Sequence, residues 1–139
     1  MSSDERGQAL IESLLLGMLL IIPIIWVLMV LADVHRSALA ATSAAREAGF
    51  DAARSDDVED AARAIERTAG LAMANHGLDA DESNIRWSAP EGIERGARIE
   101  VHVAYSVNVV RFPFLGEVSG PSVWVRSTHI ARVDPFASR

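Results

Sequence analysis

The chain has 139 residues, with 13 basic and 19 acidic side chains, a formal charge of -6 and no cysteine. Once about 25 to 30 residues of hydrophobic N-terminal segment are set aside, the remainder is enough for one small domain and excludes two. The acidic balance and the lack of a basic run argue against nucleic acid or anionic lipid as a partner. The absence of cysteine excludes disulfides and thiolate metal sites.

The first informative element is an uncharged, mostly apolar run from Ser13 to Ala32. A run of this length forms a helix that can cross a hydrocarbon core about 30 Å thick, so we expect residues 13–32 to span a membrane. Glu12 stands directly before the run, where a carboxylate is costly unless it is paired. We therefore expect Glu12 to have a partner.

Three interpretations of this N-terminal segment compete. A cleavable secretory signal needs a basic start and a shorter apolar core. Residues 38–40 (Ala-Leu-Ala) offer it a cleavage site, but charged residues separate that site from the apolar run, and the first seven residues hold two acids against one arginine. An uncleaved single-pass anchor is the second interpretation. The third is a short hydrophilic leader, residues 1–7, that ends at Gly7.

The third interpretation explains more of the sequence than the other two. The chain reads Arg6-Gly7-Gln8-Ala9-Leu10-Ile11-Glu12, then an apolar run that contains Pro23, then Ala44-Ala45-Arg46-Glu47-Ala48-Gly49. In these features the first third of the chain resembles the TadE-like minor pilins or pseudopilins of the bacterial tight-adherence (Flp, type IV) pilus assembly system. Pro23 lies later than in the usual pattern of that family.

The resemblance implies a processing site and an assembly residue. A prepilin peptidase would cut between Gly7 and Gln8, which places Glu12 at the fifth position of the processed chain. There the carboxylate would neutralise the new amino group of a neighbouring subunit, because an unpaired buried charge is prohibitive whereas a paired one is tolerable. TadE and TadF types are not separated by these features.

The resemblance also implies a structural function, a location and a set of partners. The chain would be a minor pilin used in assembly of an adhesion pilus, single-pass in the cytoplasmic membrane with its N-terminus inside and its head outside, or incorporated into an extracellular pilus. Its partners would be the prepilin peptidase, other pilin or pseudopilin subunits that pack through the N-terminal helix, and the pilus assembly platform in the membrane.

The long N-terminal helix is predicted to run over residues 8–50. Pro23 lacks an N–H and its ring clashes with the preceding turn, so it predicts a kink within the membrane span. The segment beyond the span is rich in alanine, which favours helix and permits close approach of neighbouring helices. Gly49 predicts the C-terminal stop.

Residues 51–139 are predicted to form an exported α+β head. A second helix is expected over residues 57–76, with Asp56 as N-cap, Glu59 completing a capping box, and closure at Gly77. Its predicted core face consists of Val58, Ala61, Ala62, Ile65, Ala69, Ala72 and Met73.

Three antiparallel strands should follow, over residues 85–89, 99–109 and 123–133. Apolar and polar side chains alternate most clearly in the second strand, whereas the third has apolar and charged residues mixed over both faces. The apolar loop 112–116 between the last two strands either plugs the core or presents an apolar surface to a partner or to lipid headgroups, and we favour the first. The predicted fold is therefore α+β: a long membrane-spanning helix, a second amphipathic helix and a small antiparallel sheet.

No motif indicates chemistry. If the two long strands are neighbours, His102 and His129 could approach each other and hold a metal with Glu100, but their spacing matches no metal motif. Nucleophile elbows, phosphate loops and zinc-protease helices do not occur in the sequence. We expect neither an enzyme nor a bound metal or cofactor. Two other functions stay open: an uncleaved membrane-anchored binding module of an envelope complex, and a pseudopilin of a type II secretion or DNA-uptake system.

Overall fold

The computed structural model describes residues 3–109 and 120–136, and the predicted α+β class is confirmed. The loop 112–116, predicted to plug the core, lies outside the described residues. In chain order the elements are helix α1 (Ser3–Ala52), helix α2 (Val58–Asn75), a short 3-10 helix (Ala80–Glu82), and strands β1 (Ser83–Ser88), β2 (Arg98–Asn108) and β3 (Ser122–Arg132).

The chain consists of two compact units, Met1–Asp33 and Val34–Arg139. The first consists of the apolar part of α1. This helix is long and apolar enough to cross a membrane: its most apolar stretch has a mean hydropathy of 3.0, and none of that stretch is buried.

The second unit, here called the head, contains the sheet. Its strand order is β1-β2-β3, and both neighbouring pairs are antiparallel. The alternation predicted for β2 is confirmed, since its core side is buried while most of the opposite side is not. The buried residues on the core side of β2 are Ile99, Val101, Val103, Tyr105 and Val107.

Small side chains hold the helices of the head against this sheet. The alanines after the apolar run form part of the head's own core together with α2 and β2, instead of staying free for neighbouring chains. The fully buried alanines of α1 are Ala40, Ala41, Ala44, Ala45, Ala48 and Ala52. Alanine has no side chain beyond Cβ, so the backbones of packed elements approach closely and little side-chain entropy is lost.

The core face of α2 is largely as predicted. Ala61, Ile65, Ala69, Ala72 and Met73 are buried, as is Ala64, which the prediction lacked. Val58 is 51% exposed, so its assignment to the core was wrong. Val58 is the first residue of α2, and the buried face of the helix begins one turn later, at Ala61.

Two predicted helix boundaries were wrong. The N-cap of α2 is Asp57, whose Oδ1 accepts from the N–H of Asp60 at 2.7 Å, so the predicted capping box at Asp56 is off by one residue. α1 does not stop at Gly49 but continues to Ala52. Closure at Gly77 is confirmed: its φ of 70° is the left-handed conformation that ends many helices.

Candidate functional site

The predicted cleavage position lies near the start of α1. Gly7 and Gln8 are helical and exposed, and apart from the adjoining residues and the backbone of the helix itself, no atom lies within 4 Å of the place where a Cβ of Gly7 would be. The helix begins only at Ser3, and the first turns of a helix have unsatisfied N–H groups and fray readily. The peptide bond after Gly7 is therefore sterically open in this chain.

Glu12 is exposed on the same helix. It forms no ion pair with a described residue. Its neighbours one turn away are uncharged: Gln8 and Ala9 on one side, Leu15 and Leu16 on the other. The carboxylate therefore meets no cation among the side chains one turn before or after it.

The apolar surface that follows Glu12 is extensive. Large apolar side chains are exposed along the segment, from Leu10 (72%) to Leu31 (61%). Soluble monomers rarely expose contiguous apolar patches larger than a few hundred Å². By length and composition this part of α1 could cross a membrane.

Pro23 lies inside α1. Because proline has no N–H, the carbonyl of Leu19 loses its usual helical donor. An open apolar groove of about 260 Å³ is lined by Pro23, Ile24, Val27 and Leu28. Such a groove suits an apolar side chain of a neighbouring helix or an acyl chain, and the kink at Pro23 stays a prediction.

The alanine-rich element 44–49, which contributed to the family resemblance, has a packing role in the head. Gly49 is buried against β3: a Cβ at this position would lie 3.0 Å from Cδ2 of His129 and 3.4 Å from Cβ of Ala131. The His129 ring also packs on the Phe50 ring, with 5.3 Å between ring centroids. The guanidinium of Arg46 lies over the Phe50 ring, with 5.7 Å between its Cζ and the ring centroid.

The proposed approach of His102 and His129 was wrong. β2 and β3 are antiparallel neighbours as predicted, but His129 pairs with Val101 and therefore lies on the core side, whereas His102 lies on the opposite side of the sheet. His102 instead meets Thr128, with 2.8 Å between Nδ1 and Oγ1, and Glu100, with 3.4 Å between Nε2 and Oε1. Within residues 3–109 and 120–136 no three His, Asp or Glu side chains are placed to hold a metal.

The side of the sheet that faces away from the core, here called the outer sheet face, is a feature that sequence reasoning missed. It carries Arg86, Arg98, Arg126 and Arg132, which the strand register brings onto one surface. These arginines are far apart in sequence and alternate with core residues, so they form no basic run. The strand periodicity would have revealed them if it had been applied to charge as well as to hydropathy.

Comparisons with protein-family models, with curated proteins and with solved structures find no match. The described residues provide an exposed apolar helix, a carboxylate with no ion-pair partner at its start and a head with a basic sheet surface.

Proposed function

We propose that this chain is a structural minor pilin or pseudopilin subunit, processed by a prepilin peptidase between Gly7 and Gln8, which takes part in assembly of a Flp-type pilus. One observation carries the proposal. Glu12 is a carboxylate without an ion-pair partner among the described residues, and it lies within α1 directly before the exposed apolar segment of membrane length.

A carboxylate near the end of an apolar helix is tolerated when a cation meets it, because the attraction between charges is stronger where water is scarce. Cleavage after Gly7 would create a cation, the ammonium group of Gln8, on every processed subunit. Glu12 of one subunit and Gln8 of the next would then neutralise each other and set the axial register of packed helices.

The proposal includes a location and partners. The apolar part of α1 would lie in the cytoplasmic membrane, with the N-terminus inside and the head outside. It would pack there against the helices of other pilin or pseudopilin subunits and against the assembly platform. The exposed apolar side chains of this segment and the groove at Pro23 support such packing.

The head also supports this proposal over the secretory-signal interpretation. Cleavage after residues 38–40 would leave Ala41 as the first residue. Ser37 and Ala40 are buried in the head, at 2% and 0% exposure, so this cut would remove residues of the head's own core. Cleavage after Gly7 leaves in place every residue that the structure describes as buried.

Substitution of Glu12 by Ala, in cells that assemble the pilus, tests the proposal. Membrane insertion should be retained, because the apolar run is unchanged. Incorporation into filaments should fall about a hundredfold, because loss of one partner of a buried pair costs on the order of 3 kcal/mol. The measurement is the ratio of the protein in sheared filaments to that in the membrane fraction.

Two matched variants control this experiment. Glu12→Asp keeps the charge and should retain most of the incorporation. Glu47→Ala removes an exposed carboxylate from the head part of α1 and should assemble like the unmodified chain. Normal incorporation of Glu12→Ala would show that charge neutralisation does not drive assembly.

A further inference from the structure

The outer sheet face has a charge opposite to that of the chain as a whole. Among the described residues, four arginines lie on it, at positions 86, 98, 126 and 132, with one acidic residue, Glu100. The chain has a net charge of -6, so the rest of the molecule is more acidic still. The head therefore presents a basic surface on an acidic body.

The arginines of this face lack partners among the described residues. None of the four guanidinium groups forms an ion pair with a described carboxylate. Arg98 and Arg132 are directly opposite each other in the strand register. Like charges at such positions destabilise a sheet. This arrangement is relieved when an anionic surface binds over it.

Large apolar side chains stand among these charges. Trp124 is 51% exposed and Ile130 is 55% exposed, and both lie on the outer sheet face of β3, on either side of Arg126. Tryptophan and arginine are the residues most enriched among those that dominate binding energy at protein interfaces. The composition of the face suits a protein partner with carboxylates around an apolar centre.

The head itself carries a surface of that kind. An open groove of about 590 Å³ lies between the start of α2 and the connection from β1 to β2. Three carboxylates and one guanidinium line it, with apolar side chains beside them, and Val58 is 51% exposed. The lining residues are Asp56, Asp57, Val58, Ile93, Glu94 and Arg95.

We propose that the outer sheet face of one copy of this chain binds the acidic groove of a second copy. The two surfaces are complementary in charge, and each combines exposed apolar area with charges of one predominant sign. Because they are different surfaces of the same head, the contact is heterologous, and each copy can bind one neighbour on either side. An anionic lipid would neutralise the arginines equally well but would leave the groove without a role.

This contact rests on the proposed function, because subunits that assemble through α1 would bring their heads together. It adds a second contact between the same subunits. It uses neither Gly7 nor Glu12. The two proposals can therefore fail separately.

The test uses full-length protein in nanodiscs of zwitterionic lipid, with one copy in each disc. Separate discs prevent contact between the apolar helices of different copies. Association of discs is measured by sedimentation velocity. The sheet variant is Arg98→Glu, Arg126→Glu and Arg132→Glu, and the groove variant is Asp56→Arg and Glu94→Arg. Asp57 is kept because it caps α2.

Unmodified discs should associate, and each variant alone should associate at least about tenfold more weakly, since each variant replaces several attractions between opposite charges by repulsions. A mixture of the two variants should regain association, because the acidic groove of one then meets the intact basic face of the other. The matched control Arg54→Glu, Arg63→Glu and Arg67→Glu changes the net charge equally and should associate like the unmodified chain.

Three outcomes would overturn the proposal. The first is that unmodified discs stay monomeric at high concentration. The second is that the control weakens association as much as the sheet variant, or that the mixture does not recover. The third is that the sheet arginines bind discs containing anionic lipid while the groove variant associates normally, which would assign the outer sheet face to the membrane surface.

Discussion

The close approach of α1 to β3 predicts that Gly49→Ala destabilises the head. Alanine is favoured over glycine within a helix by about 0.5 to 1 kcal/mol. The new Cβ, however, would lie 3.0 Å from Cδ2 of His129, whose ring is packed against Phe50. Overpacking of this kind costs about 1 to 3 kcal/mol. We expect a net loss of about 1 kcal/mol in the free energy of unfolding.

The same reasoning predicts a change of sign when the clash is removed. In a His129→Ala background the Cβ added at Gly49 has space, so Gly49→Ala should stabilise by about 0.5 kcal/mol through helix propensity alone. The assay is urea unfolding of the full chain in detergent, followed by tryptophan fluorescence, to which Trp87 contributes from its position against the core of the head. Equal effects of Gly49→Ala in both backgrounds would refute the proposed contact.

Two further predictions concern the stability of the head, with the same unfolding assay. Asp57→Ala should lower the free energy of unfolding by about 1 kcal/mol because it removes the N-cap of α2. Asp56→Ala should change it by less than about 0.5 kcal/mol. A larger effect at Asp56 than at Asp57 would indicate that Asp56 is the N-cap, as the sequence predicted. Ile65→Ala should lower the free energy of unfolding by about 2 to 5 kcal/mol, because this side chain is fully buried. Leu71→Ala, at a position that is 60% exposed, should lower it far less. Similar losses for the two variants would contradict the assigned buried face of α2.

Periodicity made most of the fold predictable. In β2 every second residue is apolar, and this pattern determined both the strand and its buried side. The apolar stripe of α2 and the turn at Gly77 were equally local signals. Such features depend on residues close in sequence, so they can be found without knowledge of the tertiary structure.

Features that depend on distant residues could not be found in this way. Gly49 is a plausible helix stop in sequence, and only its contact with His129 shows why a glycine is needed inside α1. The His102 and His129 hypothesis failed because the strand register, which the sequence does not fix, places these rings on opposite sides of the sheet. The alternation within each strand assigns the arginines of the outer sheet face to the side away from the core, but only the register brings the arginines of three strands onto one surface.

The candidate site depends on local sequence and so was accessible from the start. Gly7 and Glu12 lie within a few residues of each other, and the structure adds their exposure on α1 and the absence of a described ion-pair partner for the carboxylate. The partner itself belongs to another chain in the proposed function. A single chain cannot display it.

The most direct test of the proposed function is the N-terminus of the mature protein, read by N-terminal sequencing and intact mass after extraction from membranes of cells with a prepilin peptidase. The proposal predicts a first residue of Gln8, and full-length protein when the peptidase is inactivated. A first residue of Met1 or Ser2 in cells with active peptidase would indicate an uncleaved anchor and contradict the proposal, and a first residue of Ala41 would indicate a secreted domain.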